Sequence, residues 1–143
     1  MGDPTLVPQL FEAVTGKEMS ETDYYRMGER SFNLQRGIMG REGRAGREHD
    51  AIGEFNFTEP IETEEGMVGL FNPDMEFPGP GDEIISRKGE TMDRDAFERM
   101  KDDYYRLRNW DCATGLQTKE QLNKLGLDFI CEEMEEGGLL KKG

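Results

Sequence analysis

The stretch Ser20-Glu21-Thr22-Asp23-Tyr24-Tyr25-Arg26-Met27-Gly28-Glu29-Arg30-Ser31-Phe32-Asn33-Leu34-Gln35-Arg36-Gly37-Ile38-Met39-Gly40-Arg41 decides the fold class. Ser20 is an N-cap residue, and Glu21 and Asp23 follow it in the first turn, where the helix dipole favours carboxylates. Tyr24, Met27, Leu34 and Ile38 then fall on one stripe, with Phe32 and Met39 beside it and Glu29, Arg30 and Arg36 flanking. The spacing predicts a helix over about 21–41, the longest in the chain. Gly28 and Gly37 inside it each cost about 1 kcal/mol of helix propensity relative to alanine, which points to close approach of a neighbouring helix.

On the N-terminal side, Leu6, Leu10, Phe11 and Val14 recur at helical spacing. Pro8 falls in the first turn, where proline is tolerated, and Gly16 ends the helix. On the C-terminal side the periodicity disappears from Gly43 to Glu90. The run Phe77-Pro78-Gly79-Pro80-Gly81 reads as irregular chain. This long loop is read as a strap lying across another surface, anchored by Phe55, Phe57, Met67, Leu70, Phe71, Met75 and Phe77, with a short strand at Glu83 to Ser86.

Regularity returns over about 93–109, where Phe97, Met100, Tyr104 and Leu107 form an amphipathic stripe. Trp110 follows, and Gly115 marks a turn. Thr118 and Gln121 make a capping box that opens a short helix with Leu122 and Leu125, ending at Gly126. A last helix from about Asp128 to Glu136 carries Phe129, Ile130 and Met134 and stops at Gly137-Gly138. The expected architecture is all-α: one irregular helical domain over residues 1–143, with a long loop (about 43–90) between the longest helix and the C-terminal helices.

The 143 residues carry a net charge of −13, and 34% of them are charged. Nucleic-acid affinity rests on cations that displace counterions from phosphates, so no nucleic-acid partner is expected. An anionic membrane surface is disfavoured for the same reason, and no apolar run approaches the roughly 20 residues of a span. No signal-peptide pattern opens the sequence, and Gly2 lacks the Ser or Thr at position 6 that myristoylation needs. Two cysteines, Cys112 and Cys131, are too few for a disulfide scaffold. A cytoplasmic location is the natural expectation.

Several local constellations invite a chemical reading. Cys112, Cys131 and His49 are of metal-ligating type but lack paired spacing, so a structural role is preferred. Arg36, Arg41, Arg44 and Arg47 form a basic run in an acidic chain, read as docking onto neighbouring carboxylates before phosphate contact near a cofactor. Glu29 and Arg30 are sequential on a helix and point apart, so they do not form an acid–base couple. Tyr104, Tyr105, Arg108 and Trp110 read as packing at a helix end, with Arg108 stacked on a ring. Glu132, Glu133, Glu135 and Glu136 read as a solvated helix face. No catalytic, cofactor-binding or metal residue is assigned.

Two stretches carry a resemblance. Gly28-Glu29-Arg30-x-x-Asn33-Leu34-x-Arg36, followed by Arg41-Glu42-Gly43, resembles a signature in the C-terminal region of the tungsten-containing aldehyde ferredoxin oxidoreductases. Tyr104-Tyr105-x-x-Arg108-x-Trp110-Asp111-x-x-Thr114-Gly115-x-x-Thr118, then Leu125-Gly126-Leu127, is similar to the closing run of the same family. Ala13-Val14-Thr15-Gly16 fits the family's helix end ahead of the first motif. Order and spacing agree over nearly the whole chain. There are departures: Asn109 stands where the family has glycine before Trp110, Ile38-Met39 replaces Phe-Asn, His49-Asp50-Ala51-Ile52-Gly53 replaces Asp-Asp-x-Leu-Pro, and Leu116-Gln117 replaces Ile-Pro. Ile84 to Gly89 and the Gly115-to-Thr118 ending are closer to a divergent branch that includes the tungsten subunits of aromatic-ring reductases.

The resemblance implies a parent protein that oxidises aldehydes to carboxylates at a tungstopterin centre and passes electrons through a 4Fe-4S cluster to ferredoxin. In that family an N-terminal domain holds much of the pterin, and a Cys-x-x-Cys-x-x-x-Cys run with a fourth cysteine ligates the cluster. Cys112 and Cys131 match none of those ligands. The chain is therefore expected to lack the cofactors, to be inactive alone, and to pair with the remainder of the parent chain or, in isolation, with a second copy. A free-standing acidic helical interaction module derived from the family is the alternative reading.

Overall fold

The computed structural model describes residues 3, 5–60, 72 and 74–141. The chain is mostly helical. Its elements are α1 (Leu6–Thr15), α2 (Glu21–Arg41), a 3-10 turn (Arg47–His49), α3 (Phe55–Thr58), β1 (Glu76–Pro78), β2 (Ile84–Ser86), α4 (Arg94–Leu107), α5 (Lys119–Lys124), a second 3-10 turn (Asp128–Ile130) and α6 (Cys131–Glu136). Contacts divide it into two compact units: the chain up to Asp50 together with that from Tyr104 onward, and residues Ala51–Asp103.

The first unit is organised on α2. Its start is a reciprocal cap: the Ser20 hydroxyl accepts from the Asp23 backbone N–H at 3.1 Å, and the Asp23 carboxylate accepts from the Ser20 hydroxyl at 2.6 Å. These bonds hold the Asp23 carboxyl below its ordinary pKa. The buried line on α2 is not the apolar stripe. Met27 and Ile38 are exposed, and Asn33, Gly37 and Gly40 are buried instead. The reason lies in what faces them. A Cβ on Gly37 would lie 3.3 Å from the Met134 sulfur of α6, and one on Gly40 would lie 3.6 Å from a Leu139 methyl.

The apolar cluster of this unit consists of Leu122, Leu125, Leu127, Cys131, Met134 and Leu140, with Leu34, Ile130 and Leu139 packed against it. Gly37 thus permits close helix approach, as its position in the sequence suggests. Gly28 does not: a Cβ there would meet nothing within 4 Å. Helix α1 ends at Gly16, whose left-handed φ of 69° lets its N–H reach the Glu12 carbonyl at 2.8 Å. Its apolar stripe stays exposed, with Leu10 56% and Val14 84% accessible.

The mostly helical character agrees with the expectation, and β2 lies where a short strand is expected at Glu83 to Ser86, but the chain is not purely all-α and the stretch 43–90 is less irregular than expected. Within that stretch lie the first 3-10 turn, α3 and an antiparallel hairpin with register Glu76↔Ser86, Phe77↔Ile85 and Pro78↔Ile84. Phe77 and Pro78 are therefore strand residues, and the Pro-Gly run is the hairpin loop, closed by Gly79 N–H to the Glu83 carbonyl at 2.8 Å. The Asn72 amide accepts from Glu76 N–H and donates to the Glu76 carbonyl, both at 2.8 Å, which fixes the entry to β1. Pairing between three-residue strands joined by a Pro-Gly loop leaves no long alternating pattern to read.

Phe57 of α3 meets Phe97 of α4 edge-to-face with centroids 5.6 Å apart, and the Arg94 guanidinium sits 4.1 Å over the Phe57 ring while pairing with Glu54. Of the aromatic and Met anchors expected along the strap, Phe57 and Met75 are half-buried, and Phe55 and Phe77 are exposed. Met67, Leu70 and Phe71 lie outside the described residues.

The two α2 glycines make opposite predictions. Gly28→Ala fills open space in a helix interior and raises unfolding free energy by about 0.5–1 kcal/mol. Gly37→Leu forces a branched side chain into Met134 and lowers it by about 1–3 kcal/mol. Urea denaturation followed by far-UV circular dichroism measures both.

Candidate functional site

The two signature stretches come together in one buried polar knot of the first unit. Asn33 is at its centre, 0% exposed. Its side-chain oxygen accepts from the Trp110 indole at 3.0 Å and from the Gln117 amide at 2.7 Å, and Gln117 also donates to the Asn33 backbone carbonyl at 3.0 Å. The Asn33 amide in turn donates to the Glu29 carbonyl one helical turn back, at 2.9 Å. A buried amide left without partners costs about 1–3 kcal/mol, so this saturation fixes Trp110 and Gln117 against α2.

One turn further along α2, Arg36 grips Asp50 with both guanidinium arms, each at 2.5 Å, and reaches the Gly115 carbonyl at 3.3 Å. The same guanidinium lies 4.9 Å from the Trp110 ring centre. Tyr105 donates its hydroxyl to Asp50 at 2.6 Å. Burial first, and then that carboxylate, pushes the Tyr105 phenol well above its ordinary pKa, so it remains a donor at any working pH. Arg47 completes the arrangement: its backbone N–H bonds the Thr114 carbonyl at 2.7 Å, its guanidinium donates to the Cys112 carbonyl at 2.7 Å, and it sits 5.4 Å over the Tyr105 ring.

The turn from Trp110 to Thr118 holds these partners in place. Asp111 accepts from the Thr114 N–H at 2.8 Å and hydroxyl at 2.7 Å and pairs with Lys141 at 3.0 Å, which brings its carboxyl down to about 2. Gly115 has φ of 68°, and a Cβ there would lie 2.8 Å from the Arg47 nitrogen and 3.1 Å from the Tyr105 hydroxyl. No other residue fits that position. Asn109 also adopts a left-handed φ, 53°. Asparagine tolerates that region better than most residues, which accounts for its standing where the resemblance has glycine. Thr118 accepts from Gln121 N–H at 3.2 Å as N-cap of α5 and donates to the Asn109 carbonyl at 2.8 Å.

The remaining signature residues lie around the knot. Glu29 accepts from Gln121 at 2.9 Å and pairs with Arg108 at 3.9 Å. Arg108 lies over both Phe32 and Tyr104, at 5.6 and 5.2 Å, and Phe32 stacks on Trp110. Arg30 reaches the Gly126 carbonyl at 3.3 Å, and Arg41 pairs with Glu133 at 3.3 Å where both are exposed. Leu34 packs on the apolar cluster, and Glu42 and Gly43 form the exposed end of α2. Gly28 stands apart from the knot.

Asp50, Gln117 and Arg47 are as central as any signature residue, and sequence reasoning did not single out the first two. Both fall inside stretches where the chain departs from the family pattern, so nothing local marks them. The metal-type side chains are not gathered. Cys131 is buried with its sulfur 3.6 Å from the Asn123 side-chain oxygen, and burial pushes its thiol upward; His49 bonds the Ala45 carbonyl at 2.5 Å. Among the described residues no three His, Cys, Asp or Glu side chains are placed to hold a metal ion.

The two stretches thus interlock within one mostly helical chain. Residues 1–127 match the family described as aldehyde ferredoxin oxidoreductase, domains 2 and 3, and the chain belongs to that family.

Asp50→Ala strands the Arg36 guanidinium and lowers unfolding free energy by about 3 kcal/mol, measured by urea denaturation. Acid titration tests Asp111. Its folded pKa lies below its unfolded value near 3.8, so its contribution is full above that value and is lost as pH falls toward about 2. Asp111→Asn flattens that part of the stability-versus-pH curve.

Proposed function

We propose that this chain is the helical C-terminal part of a tungstopterin oxidoreductase that oxidises aldehydes to carboxylates and delivers electrons through a 4Fe-4S cluster to ferredoxin. The observation that carries this reading is the family match over residues 1–127, joined to the engagement of Glu29, Asn33, Arg36, Arg108 and Trp110 with partners inside the first unit. Residues committed to internal hydrogen bonds shape and stiffen a surface; they are not set out to bind a substrate.

The cofactor chemistry fits other segments of such a protein. A 4Fe-4S cluster is held by four cysteine thiolates, and this chain has two cysteines, one of them buried with its thiol form favoured. The arginines of the knot are engaged with Asp50 and with backbone carbonyls and are not free to hold a pterin phosphate. No step of the reaction is assigned to this chain. Its role is to brace the cofactor-bearing regions of the parent protein and to close the channel through which an aldehyde reaches them. Among the described residues no helix is long and apolar enough to cross a membrane, and a cytoplasmic site of action accords with the reading.

The test is metal analysis by mass spectrometry with a visible spectrum on protein isolated without oxygen, followed by aldehyde-dependent reduction of a viologen dye. The chain alone is expected to be colourless, free of stoichiometric tungsten and iron, and inactive. Added to a polypeptide carrying the family's cofactor-bearing segments, it is expected to raise dye reduction. Stoichiometric metal on the chain alone would make Cys112, Cys131 or His49 ligands and overturn the assignment. Failure to raise dye reduction would favour a free-standing interaction module.

A further inference from the structure

The family match stops at Leu127, and the chain continues through the second 3-10 turn and α6 into a tail that is described to Lys141. This continuation is built into the core: Cys131, Met134 and Leu140 come from it, half of the six side chains of the apolar cluster. After α6 the chain turns at Gly138, where φ is 67°, and Leu139 N–H bonds the Met134 carbonyl at 2.8 Å. Leu139 then lies against the bare Cα of Gly40 on α2.

The last described residues touch the knot itself. Leu140 is buried and forms a parallel bridge with Gln117. Lys141 donates its backbone N–H to the Gln117 carbonyl at 3.0 Å, and its ammonium pairs with Asp111 at 3.0 Å. Gln117 is therefore held from two sides. The tail fixes its backbone, and its side chain donates twice to Asn33, which holds the Trp110 indole. The attachment at Lys141 is a modest one, a single backbone bond and a half-exposed ion pair, and segments held by so few bonds open at lower free energy than packed helices do.

We infer that residues 139–141 form a clasp that sets the position of Gln117 and, through it, the hydrogen bond between Asn33 and Trp110. Release of the tail loosens the knot while α2 and α4 stay folded, so the C-terminal segment is a conformational control on the site that the signature residues build.

Trp110 is the chain's one tryptophan, so its indole N–H gives a single resonance whose hydrogen exchange reads the Asn33 bond directly. Lys141→Pro removes both the N–H that bonds Gln117 and the ion pair; Lys141→Ala removes the ion pair only. Indole exchange is expected to become several-fold faster in Lys141→Pro and less so in Lys141→Ala, with the backbone amides of α2 and α4 keeping their protection. In a Gln117→Ala background, Lys141→Pro is expected to add nothing further. Unchanged indole exchange, equal acceleration in both backgrounds, or a uniform loss of protection along the chain would each overturn the clasp. Should Lys141→Pro fail to fold, Lys141→Ala compared across the two backgrounds decides by the same criterion.

Discussion

The first unit depends on one buried amide. Asn33 sits in the middle of a helix with no solvent access, and each of its polar atoms has a protein partner. Through those bonds α2 is tied to Trp110 at the end of α4 and to Gln117 at the entrance of α5. Arg36 then adds a charged grip one turn along, and its carboxylate partner also receives the Tyr105 hydroxyl. Hydrogen bonds inside a low-dielectric setting specify position sharply because their loss leaves a buried donor or acceptor uncompensated. Apolar packing supplies the bulk of the driving force below the knot, in the cluster around Leu122 and Leu127.

This division of labour gives the polar residues of the knot a specificity that the apolar cluster does not need. Asn33, Arg36, Tyr105, Trp110 and Gly115 each have one geometry in which they satisfy the others. Apolar side chains of similar volume replace one another at modest cost. Asn33, Arg36, Tyr105 and Trp110 turn inward onto one another and onto Asp50, and so contribute shape. This inward commitment supports the bracing role proposed for the chain.

Much of the helical framework was legible in the sequence. Helix α2 begins after the Ser20 cap and ends at Arg41, and α5 begins after Thr118 and ends before Gly126, because caps and glycines act within a turn of where they stand. The hairpin at Glu76–Ser86 was hidden by its own brevity, with only Glu83 to Ser86 hinting at a strand. The buried face of α2 was hidden for a different reason. Periodicity finds apolar stripes, and here the buried line is Asn33-Gly37-Gly40, chosen by partners 77 to 99 residues away such as Trp110 and Leu139. Asp50 and Gln117 were hidden because their role exists only once α2, α4 and the turn after Trp110 have met.

The most direct test of the knot is a double-mutant cycle on unfolding free energy between Asn33→Ala and Gln117→Ala. The account predicts that the two changes are strongly non-additive, with a coupling of about 1–3 kcal/mol, because each removes the partner of the other. Additive effects would show that the buried amides act independently and that the two signature stretches are not held together through Asn33.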